Sequence, residues 1–308
     1  CALPICCDAS DVTLSKTSGS FGRSTVTVEV PVTPDFEGRT IKFKVSCTTA
    51  AGTGEAEYQL KQLGGLLLYG GVVYNAAQMK DGQWWMTENL RYIPDGMTPS
   101  HNVAEASNGI WYPVVVSSFP AEGNPIMAFS TETKDIESNG YLYSTEVALG
   151  LKPGDVTVDN AGSFEGKQGV CPSGWHIPTK ADIIGLLGKT SVAAETNENA
   201  PYYDAALKSG SVELLNADGF NAGAWGAISI GTAAMTKGTL FGAVKAYTEG
   251  MNTGYIAGST LHQVTKNDDG TLKNVQYVGI MPNMRNGTYA GAFNNYRNGV
   301  SVRCVKNK

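Results

Sequence analysis

Charge, histidine and long apolar runs are scarce in this sequence. Charged residues make up 17% of the 308 residues and histidine occurs three times, whereas charged residues usually make up about 25% of a soluble domain. The uncharged stretch 63–79 contains four glycines and falls just short of a membrane span. The net charge of −5 gives no support for nucleic-acid binding. These shortages disfavour both a membrane-spanning protein and a nucleic-acid-binding protein.

Motifs of the common enzyme and metal-binding classes are also missing. The sequence has no CxxC pair, no GxSxG elbow and no HExxH helix. The segment 185–190 resembles the end of a phosphate-binding loop, but Ile183 stands where that loop needs glycine. A calcium loop around 267–270 would lack carboxylates at both end positions, Thr265 and Gln276. The sequence therefore predicts a non-enzymatic protein with no metal and no cofactor.

Glycine and tyrosine, by contrast, are plentiful. The chain has 37 glycines and 14 tyrosines, and 42% of its residues are hydrophobic. Such a chain can bury a sizeable core. The low charge and high glycine content favour many short strands and turns over long helices.

The six cysteines, none of them in a CxxC pair, favour an exported, oxidising compartment over the cytosol, because disulfides persist in oxidising compartments. They are Cys1, Cys6, Cys7, Cys47, Cys171 and Cys304. Six cysteines allow fifteen pairings, so sequence alone does not fix the connectivity. Cys1 fits the lipidated cysteine of a bacterial lipoprotein after removal of its signal. An arbitrary processing boundary explains it equally well, and both interpretations stay open.

Residues 1–62 are predicted to be a partial immunoglobulin-like β module. The segments 24–32 and 39–48 alternate apolar and polar residues, as half-buried strands do. Shorter segments at 11–15 and 54–62 bring the total to four strands, whereas an immunoglobulin sandwich needs about seven. Upstream strands, a strand from another chain or packing on the next domain would complete the module.

Residues 63–308 are predicted to form a larger α+β domain. Thr179 is a good N-cap after Pro178, and Asp182 three residues later completes a capping signal, which predicts a helix there. A second short helix is expected over 201–209, and most of the remainder is predicted to be short strands broken by glycine and asparagine.

Six segments of the larger domain match one known family in order. They are 82–92, 140–148, 169–183, 219–227, 254–260 and 300–306. The most specific are CPSGWHIPT in the third segment and SVRCVK in the last. On these motifs, residues 65–308 resemble the Fibrobacter succinogenes major paralogous domain of bacterial surface lipoproteins and fimbrial proteins. Ile256 and Ile183 depart from this pattern, because the family usually or often has tryptophan at these positions.

The resemblance implies a disulfide between Cys171 and Cys304, since both cysteines belong to family motifs. It also implies a C-type-lectin-like fold, with a small twisted sheet, two short helices and long surface loops. In such folds the function resides in the loops and not in the scaffold. His176, inside the third motif, is interpreted as a structural histidine.

The segment 281–299 is predicted to be a binding loop. Its aromatic, amide and guanidinium side chains suit a glycan or a protein epitope, and the last 39 residues carry a charge of +6. The candidate ligand-binding residues are Asn283, Arg285, Asn286, Tyr289, Asn294, Asn295, Tyr296 and Arg297. A glycine- and asparagine-rich connection with buried aromatics is the alternative.

These observations predict an extracellular, non-enzymatic bacterial surface protein that resembles an adhesin or a fimbrial tip. Its expected partner is a glycan or a host or bacterial surface protein, with no nucleic acid and no membrane contact other than a lipid on Cys1. The alternative is a structural subunit of an extracellular filament, in which neighbouring subunits complete the N-terminal sheet by strand addition.

Overall fold

The structure of the chain is a computed structural model. It describes residues 5–7, 12–18, 25–30, 38–62, 64–103, 109–121, 125–187, 210–211, 216–230, 238–241, 254–283 and 288–308. The contacts between Cα atoms divide the chain into two compact units, Cys1–Asn75 and Ala76–Lys308. The domain limits expected from sequence, 1–62 and 63–308, stay a prediction.

The first unit consists of short and long antiparallel strands. These are β1 (Ile5–Cys7), β2 (Thr13–Leu14), β3 (Val28–Glu29), β4 (Arg39–Thr49), β5 (Gly52–Gln62), β6 (Leu66–Tyr69) and β7 (Val72–Gln78), the last of which continues into the second unit. One sheet has the order β1-β4-β5, and β2 pairs with β3.

The long hairpin of β4 and β5 dominates this unit. The two strands pair over their full length, from Arg39 opposite Gln62 to Thr49 opposite Gly52. Alternation in β4 buries Ile41, whereas the neighbouring Lys42 is exposed. The period-2 pattern of the sequence therefore predicted this strand and its buried face correctly.

In its described ranges, the second unit contains the remaining strands and a few short helices. These are β8 (Trp84–Met86), β9 (Ile110–Trp111), β10 (Val114–Ser118), β11 (Ile126–Phe129), α1 (Thr133–Asn139), β12 (Leu142–Tyr143), α2 (Thr145–Ala148), β13 (Trp175–His176), α3 (Lys180–Leu186), β14 (Gly210–Ser211), β15 (Ala227–Ile230), β16 (Gly238–Phe241), β17 (Leu261–Lys266), β18 (Leu272–Asn283), β19 (Thr288–Asn295) and β20 (Val305–Lys306).

Two sheets organise this unit. In the first, the strands follow the order β13-β20-β8-β7, so that the end of the chain lies between two family motifs. Val305 of β20 pairs with Trp85 of β8 on one side and with His176 of β13 on the other. The second sheet has the order β14-β19-β18-β17.

The core of the second unit is built on indole rings and branched aliphatic side chains. Its main cluster comprises Met79, Trp85, Ile183, Leu186, Leu187, Phe220, Ala222, Trp225, Ile256, Val278, Ile280 and Val305. Trp85 and Phe220 meet edge to face, with 5.7 Å between ring centroids. Full burial of such large rings contributes several kcal/mol to the stability of the unit.

The predicted α+β, C-type-lectin-like class is wrong, because the described residues form an all-β, antiparallel structure. Each of the helices α1, α2 and α3 has seven residues or fewer, and α1 buries none of its residues. Helices of one or two turns are too short to form a layer against a sheet. None of the helices in the described ranges has the length and hydropathy of a membrane crossing.

One of the two predicted helices is confirmed. Thr179 caps α3, accepting a hydrogen bond from the Asp182 backbone N–H, while the Asp182 carboxylate accepts one from the Thr179 N–H. This reciprocal pair is the capping box that the sequence indicated. The other predicted helix, 201–209, lies outside the described residues.

Candidate functional site

A polar pocket of about 400 Å³ opens beside the end of α1 in the second unit. Its volume falls within the range of about 300–1,000 Å³ that is usual for small-ligand sites. The lining residues are Glu88, Glu137, Ser138, Asn139, Asn221, Ala222, Gly223, Ala224, Trp225 and Arg303. Most of the side chains that line it are therefore polar or charged.

The side chain of Arg303 forms the buried base of this pocket. Only 1% of Arg303 is exposed, and its guanidinium donates hydrogen bonds to Asn89 Oδ1 at 2.8 Å, to the Phe220 carbonyl and to the Asn221 carbonyl at 3.1 Å. The guanidinium carbon also lies 4.7 Å from the centroid of the Phe220 ring and 4.2 Å from that of the Trp225 ring. These contacts hold the guanidinium in one orientation.

Arg303 stays positively charged although it is buried. Burial lowers the pKa of Arg303 to about 9, while the charge of Glu88 acts in the opposite direction. Because this pKa is still above 7, the group is a cation at neutral pH. The pocket therefore has a fixed positive charge at its base.

The loop that carries Asn221 is held in an unusual conformation. Asn221 has a φ of 57°, in the left-handed region that asparagine tolerates better than most residues. The Asn216 side chain fixes the loop from behind, accepting a hydrogen bond from the Ala222 N–H and donating one to the Ala222 carbonyl. As a result, the Asn221 carbonyl accepts a hydrogen bond from Arg303, while the exposed side chain of Asn221 lines the pocket.

The opposite wall comes from the end of α1, which Asn89 ties to the base of the pocket. Asn89 Nδ2 donates to the Asn139 carbonyl at 2.8 Å, while Asn89 Oδ1 accepts from Arg303. The helix ends at Gly140, which has a φ of 69°. A Cβ atom there would lie 2.7 Å from Asn89 Cβ and 2.8 Å from the Leu90 carbonyl oxygen, so glycine is required.

Two carboxylates complete the lining. Glu88 lies 3.7 Å from the Arg91 guanidinium, so part of its charge is compensated inside the protein. Glu137 is exposed at the end of α1. The pocket thus offers carboxylate and amide acceptors together with amide, hydroxyl and guanidinium donors, a set suited to a ligand with several hydroxyl groups.

A disulfide holds the chain next to the pocket. Cys304, adjacent to Arg303, is bonded to Cys171 with 5.8 Å between the Cα atoms, and both cysteines are fully buried. The pairing implied by the family resemblance is therefore confirmed. Cys47 is disulfide-bonded as well, whereas Cys1 lies outside the described residues.

Comparison with protein families gives one match, to the family described as the Fibrobacter succinogenes major domain, over residues 81–306. The chain belongs to this family. No curated protein and no solved structure gives a significant match.

The pocket is built mainly from segments that the Fibrobacter succinogenes major domain resemblance had already marked. The segment 82–92 supplies Glu88, 219–227 supplies the Asn221 loop, and 300–306 supplies Arg303. These segments served to recognise the family, and no site was predicted from their polar members. The available signal was a polar residue flanked by apolar ones, as Asn221 is between Phe220 and Ala222 and Arg303 is between Val302 and Cys304.

The predicted binding segment 281–299 is not a loop over most of its length. β18 and β19 pair from Gln276 opposite Asn295 to Asn283 opposite Thr288, so this part of the family domain is a hairpin. Glycine, alanine and asparagine are depleted in strands, and their frequency in this segment conceals the strand pattern.

Five of the eight predicted ligand-binding side chains lie outside the described part of the structure. Arg285 and Asn286 lie outside the described residues, and Asn283, Tyr289 and Asn294 are described only as backbone in β18 and β19. A ligand-binding role for these five residues stays a prediction.

The turn after β19 contains the remaining three candidates. Tyr296 is only 2% exposed, and its backbone bonds to Val275 and Thr145, so it is a core residue with no surface to offer a ligand. Asn295 and Arg297 are half-buried, and the Arg297 guanidinium lies 4.9 Å from the Tyr296 ring centroid. The burial of Tyr296 speaks against this turn as an aromatic binding platform.

Arg297 has an electrostatic partner inside the protein. Glu146 is 1% exposed, and burial raises its pKa, while hydrogen bonds from the Val156 and Gly154 N–H groups and the charge of Arg297 act in the opposite direction. Arg297 therefore favours the ionised form of a buried carboxylate. This gives Arg297 a structural role within the family domain.

His176 belongs to a second polar network, away from the residues that line the pocket. Its Nε2 lies 2.9 Å from Asp182 Oδ2, and its Nδ1 lies 2.7 Å from Asn307 Oδ1. Burial acts to lower the pKa of His176, but the hydrogen bonds to Asp182 and Asn307 outweigh it and the pKa is raised. Among the described residues, no cluster of histidine, cysteine and carboxylate side chains could hold a metal ion.

Proposed function

We propose that this protein is a non-enzymatic bacterial cell-surface binding protein, similar to an adhesin or a fimbrial tip, whose ligand occupies the pocket at Arg303. One observation carries the proposal: three family segments converge on a single pocket and each contributes a polar residue to it. A buried arginine is costly to maintain for packing alone. A pocket that needs a fixed cation accounts for its presence.

Two observations support an exported location. The buried disulfide Cys171–Cys304 requires an oxidising compartment to form. The chain also belongs to the family whose resemblance, in the sequence analysis, implied a bacterial surface protein. We propose that the protein acts outside the cell.

The chemistry of the lining favours a glycan over a protein epitope. Ser138, Asn139, Asn221 and Glu137 present hydroxyl, amide and carboxylate groups within one pocket. Sugar hydroxyls both donate and accept hydrogen bonds, so this mixture can satisfy several of them at once. Large exposed apolar side chains, which anchor most protein epitopes, do not line the pocket.

A glycan array with the full chain tests the proposal, and the variant Asn221→Gly makes the test specific. Glycine adopts the φ of 57° at this position without strain, so the change removes the side-chain amide and leaves the loop in place. Loss of one or two hydrogen bonds should weaken glycan binding by about three- to thirtyfold. Unchanged binding would place the ligand elsewhere.

Glu137→Ala, with Glu132→Ala at the N-cap of α1 as its control, forms a matched pair. Both side chains are exposed, but only Glu137 lines the pocket, and Glu132 makes no side-chain capping bond. Binding should weaken in Glu137→Ala and remain unchanged in Glu132→Ala. Clear turnover in a screen for hydrolase or oxidase activity would contradict a purely binding role.

One observation favours the second candidate function, a filament subunit. The edge strand β5 is exposed along nearly its whole length, and an exposed edge can accept a strand from a neighbouring subunit. Electron microscopy of the purified chain distinguishes the two functions. Filaments would support the structural role, and isolated particles would count against it.

A further inference from the structure

The exposed edge of β5 carries a charge pattern that is complementary to itself. In the sheet β1-β4-β5, β5 is an edge strand among the described residues. All of its residues from Gly52 to Lys61 are exposed, including Tyr58 at 60% and Leu60 at 41%. An eleven-residue exposed edge with large apolar side chains is unusual, because it invites pairing with another chain.

The sequence of β5 divides its charges between its two ends. Glu55 and Glu57 lie in the first half and Lys61 lies near the end, and all three side chains are on the same face of the sheet. The opposite face carries Tyr58 and Leu60, which continue the apolar row formed by Phe43 and Ile41 on β4. An antiparallel copy of the strand would reverse the charge order.

We propose that β5 pairs with β5 of a second copy of this chain, antiparallel and centred on Tyr58, to form a continuous six-stranded sheet across a two-fold axis. In this register Glu55 lies opposite Lys61 of the second copy, and the same pair forms again on the other side of the axis. Glu57 lies opposite Gln59, and Ala56 opposite Leu60. Opposite charges and apolar side chains in directly facing positions stabilise antiparallel pairs.

Neighbouring registers are less favourable. Centring the pair on Glu57 would place two carboxylates directly opposite each other, which is destabilising. Centring it on Gln59 would pair Glu57 with Lys61, but it would shorten the paired segment and leave Glu55 with no partner other than Lys44 of its own chain, 2.8 Å away. The Tyr58-centred register therefore combines the best charge match with pairing from Gly54 to Gln62.

The two-fold symmetry has a consequence for assembly. Each copy contributes the same strand, so the contact is isologous and closes at two copies. Pairing through β5 thus predicts a dimer and not an open filament. The interface is small, which predicts a weak association of the kind typical of interfaces below about 1,200 Å².

Sedimentation velocity of the full chain over a dilution series tests this proposal, with charge variants that identify the contact. Lys61→Glu should raise the dimer dissociation constant by about tenfold, because it places two carboxylates opposite each other twice. The double variant Glu55→Lys with Lys61→Glu should restore dimerisation, because it exchanges the two charges. Lys16→Glu makes the same charge change at an exposed position outside β5 and should have no effect.

Cysteine cross-linking tests the register. Tyr58→Cys should form a disulfide-linked dimer under mild oxidation, since the two introduced thiols face each other, whereas Gln59→Cys should not. Circular dichroism spectra like that of the unmodified chain show that each variant is folded. The proposal would be overturned if the chain remained monomeric up to about 1 mM or formed filaments in place of dimers. It would also be overturned if the double variant failed to restore dimerisation, or if Gln59→Cys cross-linked in preference to Tyr58→Cys.

Discussion

At the scale of single residues, the most informative group is the buried guanidinium of Arg303. Desolvating a cation costs several kcal/mol unless hydrogen bonds and nearby rings replace its water. Here an amide oxygen, two backbone carbonyls and two aromatic faces do so. The same contacts fix the positions of Asn89 and the Asn221 loop, so one side chain organises both walls of the pocket.

Replacing Arg303 should therefore lower the free energy of unfolding by more than the loss of its own contacts alone. We expect Arg303→Met to lower the free energy of unfolding by about 3 kcal/mol or more, because it leaves three buried acceptors without a donor. Urea denaturation measures the change. The matched control Lys80→Met removes an exposed lysine, 3.4 Å from Asp218, and should cost less than about 1 kcal/mol. Equal losses in the two variants would contradict this account of Arg303.

At the scale of elements, the sequence allowed local structure to be predicted better than the fold class. The period-2 alternation of β4 and the capping signal of α3 act over a few residues, and both predictions are confirmed. The fold class depends on how two- to five-residue strands pair across long stretches of sequence, and such strands look like loops when read alone. For the same reason the β18–β19 hairpin was predicted to be a loop.

The candidate site could be predicted only in part, for a related reason. The motifs that contain Glu88, Asn221 and Arg303 are recognisable in the sequence, but they are up to 215 residues apart along the chain. Pairing of β20 with β8 and the hydrogen bond from Arg303 to Asn89 bring the last motif beside the first. Tyr296 is the opposite case. Its residue type suggested a contact with a ligand, but the fold places its side chain in the core.

The close packing at the end of α1, next to the pocket, can be tested by its effect on stability. Gly140→Ala should lower the free energy of unfolding by about 2 kcal/mol more than Gly154→Ala. Both glycines have positive φ, 69° and 96°, so both substitutions introduce backbone strain, but only at Gly140 would the Cβ collide with neighbouring atoms. Thermal and urea denaturation measure the difference. Identical losses would show that backbone strain alone matters.

The contact between β13 and α3 predicts a pH dependence. Burial opposes the charged form of both His176 and Asp182, but their hydrogen bonds outweigh it, raising the pKa of His176 above 6.5 and lowering that of Asp182 below 3.8. The histidine contribution to stability is complete below pH 6.5 and is lost as pH rises through its folded pKa. The aspartate contribution is complete above pH 3.8 and is lost as pH falls through its folded pKa.

The free energy of unfolding should therefore fall by about 1 kcal/mol relative to His176→Asn as the pH rises from about 6 to about 9. Urea denaturation across this range measures it, and an NMR titration of the imidazole gives the pKa directly. His101→Asn, the same substitution at an exposed histidine, controls for the loss of one ring. Parallel stability curves for His176→Asn and the unmodified chain would refute the linkage.

At the scale of the whole molecule, the second unit closes on its own last strand. β20 inserts between β13 and β8, and the disulfide joins Cys304 to a cysteine 133 residues earlier. Without this bond the unfolded chain would explore far more conformations, and the final strand could leave the sheet at lower cost. Because Arg303 precedes Cys304, the bond that stabilises the unit also holds the base of the pocket.

Cys304→Ser should lower the free energy of unfolding by about 5 kcal/mol, as expected for a loop of this length. Cys171→Ser should cause a similar loss, and the double variant should lose little more than either single variant, since the bond is already absent in both. Urea denaturation under oxidising conditions measures all three. Additive losses would show that each cysteine contributes by packing and not through the bond. If the losses are not additive, glycan binding by the single variants should weaken together with stability, because the last strand carries Arg303 to the pocket.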